Sequence, residues 1–184
     1  MPDSNPGSQF HNIWKSALTK YKRDTDRDYF EGWLGEDSPD ALFRLLDDEL
    51  KSFKHFQEYR KKGEKVRRAI EPVLNMVNVF SETIGEGVAM AFSPAKAVSV
   101  AIRVLINGAR DVSAHYDMII EMFEKLKGFM GRLDVYIKQN ITGKLKGLIV
   151  DILAQVLVVL GVATKWINQN RLCKGVALFT GECG

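Results

Sequence analysis

From Phe10 onward, apolar residues return every three or four positions, the spacing of helices that each bury one face. A first helix is predicted over residues 10–22, where Ile13, Trp14, Ala17, Leu18 and Tyr21 make one stripe. A polar, acid- and Gly-rich connection follows over 24–37, and its Tyr29, Phe30, Trp33 and Leu34 are expected to pin it to the body. Ser38-Pro39-Asp40 has the chemistry of a helix start. The serine hydroxyl accepts from free N–H groups, proline suits the first turn, and the acid favours the positive end of the dipole. The second helix turns Leu42, Leu46, Leu50 or Phe53, and Phe56 inward. It is expected to stop at Lys61-Lys62-Gly63, because basic residues before a glycine match a C-terminal cap.

A third helix, from Glu64 to about Ala91, carries Val66, Ile70, Val73, Val77, Phe80, Ile84 and Val88. Pro72 should kink it or loosen one turn, and Gly85-Glu86-Gly87 weakens its last part and suits a tight turn. Ser93-Pro94 then opens the most regular pattern in the chain, predicted as one helix over 94–137. Val98, Ile102, Leu105, Ala109, Val112, Tyr116, Ile119, Phe123, Leu126, Met130, Leu133 and Ile137 follow in alternating steps of four and three. Such a repeat holds a seam against neighbouring helices. A single helix of ~44 residues would extend about 66 Å, so either its far end projects or Gly128 and Gly131 bend it. A fifth helix, about 142–168, has a stripe of Leu145, Ile149, Ile152, Val156, Val159 or Leu160, Ala163 and Ile167. Leu148, Leu153, Leu157 and Val162 widen that stripe almost all round, while Asp151, Gln155 and Lys165 keep a narrow polar line. A helix of this kind is either central in a core or poised for a membrane, and the polar line favours a core. The fold class is therefore all-α, an elongated bundle of about five helices built on the long helix at 94–137. Residues 1–9 are expected to be a disordered lead, 10–171 the helical domain, and 172–184 an irregular tail.

Composition agrees with an ordinary globular domain: 184 residues, 46% hydrophobic and 27% charged. A formal net charge of +3 is too small to argue for nucleic acid. Lys and Arg number 11 against 12 acids up to Gly63, and 15 against 11 afterwards, so the later helices are mildly basic. Cys173 and Cys183 both lie in the tail without metal-ligand neighbours, which argues against zinc and suits a reduced cytosolic chain. The polar N-terminus lacks the apolar stretch of a secretory signal. The stretch 148–163, interrupted by Asp151 and Gln155, falls short of the ~20 clean apolar residues of a spanning helix.

Candidate chemistry is sparse. His11, His55 and His115 sit on different predicted elements without a nucleophile at motif spacing, and are expected at the surface or its boundary. Gly85-Glu86-Gly87-Val88 has neither the preceding strand nor the Lys-Ser/Thr pair of a phosphate loop. Asp117, Glu121 and Glu124 lack the Glu-x-x-His pairs of a two-metal bundle and suit a solvated face with Lys125 and Lys127. The basic run Arg60, Lys61, Lys62, Lys65, Arg67 and Arg68 is a charged corner, and a candidate contact for lipid headgroups or an acidic partner.

Several segments together carry a resemblance: Ile13-Trp14-x-x-Ala17-Leu18-x-x-Tyr21, Ser38-x-Asp40-Ala41, FSETIGEGVAMAFSPAKAV over 80–98, the stretch from Ala109 through Arg110, Asp111, Val112, Ser113, Ala114, His115 and Tyr116 to Asp117, and LGVATKWI over 160–167. In that order they resemble the fungal STAND N-terminal Goodbye domain, a helical module at the N-termini of fungal NOD-like receptor architectures, particularly in basidiomycetes. The resemblance runs from about Phe10 to Arg171. It gives Trp14, Tyr21, Gly85, Gly87, Ser93, Pro94, Asp111, Tyr116 and Asp117 a structural role as motif positions. It implies a non-enzymatic effector or adaptor that acts in the cytoplasm through protein partners or self-association. It brings no catalytic motif, cofactor, metal, nucleic acid or small-molecule substrate. Related fungal domains of the HeLo type act in regulated cell death through membrane targeting, so by analogy a membrane-perturbing bundle, membrane-associated on activation, is the alternative. Such modules normally precede a nucleotide-binding domain. These 184 residues hold no Walker motif, which suggests a stand-alone copy, a receptor fragment or a partner acting in trans.

Overall fold

Five helices account for nearly all of the residues described by the computed structural model, which are 6–25, 44, 57–84, 94–109, 112–137 and 142–180. They are α1 (Pro6–Thr25), α2 (Gln57–Ile84), α3 (Pro94–Ala109), α4 (Ser113–Ile137) and α5 (Gly143–Thr180), with no strand among the described residues. The all-α class is as the periodicity predicts.

Helix directions follow from a few contacts near the ends. Lys62 Nζ on α2 lies 2.9 Å from Asp117 Oδ2 on α4, so the starts of those two helices are neighbours. Lys146 Nζ, near the start of α5, donates to the Ile84 carbonyl at the end of α2 (3.3 Å). His115, in the first turn of α4, has its ring centroid 5.7 Å from that of Trp166, far along α5. A β-carbon built on Gly108 of α3 would lie 3.3 Å from Ile167 Cγ2. The chain therefore runs up α2, down α3, up α4 and down α5. α1 lies parallel to α5, with Phe10 against Gly147 and Tyr21 against Gly161.

The most extensive packing is between α1 and α5, then between α2 and α4, while α3 rests on α5 and α2. α5 sits at the centre because its apolar arc is too wide for one neighbour to cover. Ile149, Ile152, Leu153, Val156, Leu157, Leu160 and Ile167 are all buried in one core with Trp14, Tyr21, Phe80, Leu105 and Phe123. Thr142 caps this helix, accepting from Leu145 N–H through its hydroxyl (3.3 Å) and from Lys146 N–H through its carbonyl (3.0 Å). Thr164, a fully buried polar side chain of α5, donates to the Leu160 carbonyl within its own helix (2.8 Å).

The predicted long helix over 94–137 is in fact two helices. α3 ends at Ala109, Val112 is not helical, and α4 starts at Ser113. Val112 N–H donates to Ala109 O (3.2 Å) and His115 N–H to Val112 O (3.0 Å), the short bonds of a turn. Both halves of the heptad seam are still interior: Val98, Ile102, Leu105, Ala109, Tyr116, Ile119, Phe123 and Met130 are buried. A single helix would carry that seam out into water over about 66 Å, whereas a reversal lays both halves on one core.

Three boundaries also differ from expectation. α2 runs unbroken from Gln57 through Gly63 and Pro72, so the stop at Lys61-Lys62-Gly63 is overruled. Gly63 is buried, and the packing of Val66, Ala69 and Ile70 beyond it outweighs a local cost of about 1 kcal/mol. α1 begins at Pro6 rather than Phe10, so the lead expected to be disordered over 1–9 is helical from Pro6. α5 continues to Thr180, so the irregular tail expected from Leu172 is helical up to that point. The connection at 24–37 is helical through Thr25 and otherwise lies outside the described residues, as do the predicted second helix before Gln57, apart from Arg44, and the turn at 85–93.

The α1–α5 contact is the tightest to test. A β-carbon at Gly161 would lie 3.0 Å from Tyr21 Cδ2, a ring with no exposed surface to yield into. Gly161→Ala should destabilise the fold by about 1–3 kcal/mol through overpacking. Gly128→Ala, with nothing within 4 Å, should stabilise it by about 0.5–1 kcal/mol through helix propensity. Urea unfolding followed by circular dichroism reads both.

Candidate interaction surface

α5 is not covered on all sides. Leu148 (47% exposed), Val159 (38%), Val162 (52%) and Trp166 (48%) open to solvent on one side of it. Their spacing of eleven, three and four returns them to one face. Asp151, Gln155 and Lys165 share that face and are exposed, which is the narrow polar line anticipated from sequence. α2 and α4 each add one exposed large apolar residue, Val79 and Phe129.

In α5, Gly143–Gln169 is long and apolar enough to cross a membrane, and its most apolar 18 residues have a mean hydropathy of 2.2, although 56% of those are buried inside the bundle. The apolar stretch 148–163 is the middle part of this span. The helix itself reaches further, past Lys144 and Lys146 at one end and Lys165 at the other.

The basic corner lies on α2. Lys61, Lys65 and Arg68 are exposed and fall on one face, while Lys62 is mostly buried and committed to Asp117. Arg67 is partly buried and already engaged in an interaction. Arg60 belongs to the helix, but its side chain lies outside the described residues. The run thus divides into an outward triad and inward members that hold the bundle together.

The acids of α4 form the solvated face expected of them. Lys125 Nζ sits 2.6 Å from Glu121 Oε1, and Lys127 Nζ 3.5 Å from Glu124 Oε2. The hydrogen bond and charge of Lys125 hold the Glu121 carboxyl below its ordinary pKa. Among the described residues no group of His, Cys, Asp or Glu is placed to hold a metal ion.

Of the motif residues, Trp14, Tyr21 and Tyr116 are buried in the core, Pro94 is buried at the start of α3, and Asp117 is exposed on its ion pair with Lys62. Gly85, Gly87, Ser93 and Asp111 lie outside the described residues. His11 is exposed as expected. His115, expected at the surface or boundary, is instead buried (3% exposed), with Trp166 edge-on against it at an interplanar angle of 70°. The reversal after Ala109 causes this, because it turns the first residues of α4 onto α5. His55 and Cys183 lie outside the described residues, and Cys173 is within α5.

The outward face of α5 was missed as a candidate surface. Its signal was present, since an apolar arc wider than one stripe leaves some residues uncovered when neighbours pack on only part of the circumference.

The family model of the fungal STAND N-terminal Goodbye domain matches residues 14–136, two thirds of the chain. The match spans most of α1 and all of α2 and α3, ends inside α4, and stops before α5 and its LGVATKWI segment. No curated protein and no solved structure matches.

The buried position of His115 has a direct consequence. His115→Ala should cost about 1–3 kcal/mol of stability, while His11→Ala should stay within about 0.5 kcal/mol of the parent. Thermal and urea melts of the two variants check this.

Proposed function

The chain belongs to the family of fungal STAND N-terminal Goodbye domains, and on that premise we propose that it is a non-catalytic effector or adaptor module that works by protein–protein association. The observation that carries this reading is the outward face of α5. Four large apolar side chains stand exposed there on a rigid helix whose opposite side is locked in the core. Exposed apolar area on a well-packed scaffold is what association surfaces supply. The triad Lys61, Lys65 and Arg68 on α2 offers a second, electrostatic contact for an acidic partner. A cytoplasmic place, and a role in immunity or regulated cell death, go with this reading through the family.

The experiment is co-purification of the tagged chain with a fungal STAND protein carrying a domain of the same family. Binding by the parent, reduced at least about tenfold by Val162→Glu, is the expected result. Retention of full binding by that variant, with the fold intact by circular dichroism, overturns the role given to α5. No binding to any such protein overturns the association reading itself.

A second reading rests on the hydropathy of α5. Lys144 stands near one end of the span and Trp166 near the other, an arrangement suited to the two membrane interfaces. Because more than half of its most apolar 18 residues are core, the bundle would have to open for α5 to insert. Leakage of dye from anionic vesicles at low salt supports this reading. Absence of both binding and leakage rules it out.

A further inference from the structure

We infer that the outward face of α5 pairs with the same face of a second copy of this chain, the two helices antiparallel about a two-fold axis near Val158. The inference deepens the association reading above by naming the partner.

The argument begins with the two charges on that face. Asp151 and Lys165 are exposed, and neither forms an ion pair with any described residue. They are fourteen residues apart, about 21 Å along the helix, which is too far for one to reach the other within one chain. Their midpoint is Val158. A two-fold axis at that level, perpendicular to α5, brings Asp151 of each copy opposite Lys165 of the other and so makes two reciprocal ion pairs.

The apolar residues obey the same symmetry. Leu148 and Trp166 have their midpoint at Leu157, one residue from Val158, so the same axis places Leu148 of each copy within a turn of Trp166 of the other. Val159 lies next to the axis and meets its own copy. A two-fold operation of this kind keeps each flank of the face on its own side. The flank with Asp151 and Lys165 therefore stays polar, and the flank with Leu148, Val159 and Trp166 stays apolar. Isologous contacts need this self-complementarity, in which residue i meets j and j meets i.

A lipid surface fits the face less well. Asp151 and Gln155 fall inside the apolar span rather than beyond its ends. An aspartate within a membrane-embedded helix costs up to about 3 kcal/mol, and a bilayer offers it no lysine. In the paired helix Asp151 has a cationic partner, and the two charges set direction and register, as polar residues do in helical seams.

The test is charge reversal in the full-length chain, read by sedimentation equilibrium over a concentration series. The parent is expected to dimerise. Asp151→Lys and Lys165→Asp, each placing like charges opposite one another twice, should weaken dimerisation at least about tenfold. The double variant D151K/K165D should restore it. Both positions are exposed, so circular dichroism and melting temperature should match the parent and separate loss of pairing from loss of fold. A monomeric parent overturns the inference, as does a double variant no better than the singles. If the parent is monomeric yet still captures a STAND partner, the self-pairing fails and the association reading stands. If it is monomeric and floats with anionic vesicles, the face serves lipid instead.

Discussion

Concealing α5 is the constraint on which the other helices depend. Between 145 and 167 α5 is apolar almost all round, with only a narrow polar line; such a helix cannot remain in water alone, and no single neighbour can wrap its circumference. α1 takes one side, seating Phe10 and Tyr21 where Gly147 and Gly161 leave room. α3 takes another, and α2 and α4, themselves a closely packed pair, touch it further round. Each apolar side chain of average size that leaves water contributes roughly 1.5–3 kcal/mol, so covering α5 outweighs several local preferences for a helix to end. Gly63 continues in α2 against its propensity, and the chain reverses after Ala109 where its seam alone would have run on.

That reversal explains what could be read from sequence and what could not. Helix identity was legible because it depends on spacing, and the residues of the stripes are the residues of the core, from Trp14 and Tyr21 to Phe123 and Met130. Whether one helix or two carried the seam was not legible. Val98 to Ala109 and Tyr116 to Met130 keep the same phase across the turn at Val112, so periodicity is blind to a break there. Length was the available warning, since a helix of about 66 Å has nothing of equal length to lie on. Gly63 misled for a related reason: its neighbours Lys61 and Lys62 match a helix stop, but only the tertiary packing of Val66 and Ile70 decides whether the helix obeys. Of the surface, the charged corner was legible as a run of charges. Its division into outward Lys61, Lys65 and Arg68 and an inward Lys62 needed Asp117 brought beside it from α4.

The outer face of α5 is what remains when neighbours cover most, but not all, of such a helix. Its composition is neither a plain core remnant nor a lipid face, because Asp151, Gln155 and Lys165 run through it. It is also anchored: the same helix carries Leu153, Leu157 and Leu160 in the core, so contacts made outside are transmitted to a fixed frame. The family match ends before α5, and the chain's candidate surface therefore lies on a segment beyond the matched one.

Whether the seam folds back on itself, so that α3 and α4 both serve the α5 core, can be measured as one distance. Spin labels at Lys96, near the start of α3, and Arg132, towards the end of α4, report it by pulsed dipolar spectroscopy. A folded-back chain places both at the same end of the bundle, with a backbone separation of roughly 10–20 Å given helix spacings of 8–10 Å. A continuous helix would separate them by about 54 Å. A single population at the short distance is the expected result, and a dominant population near the long one would contradict the account.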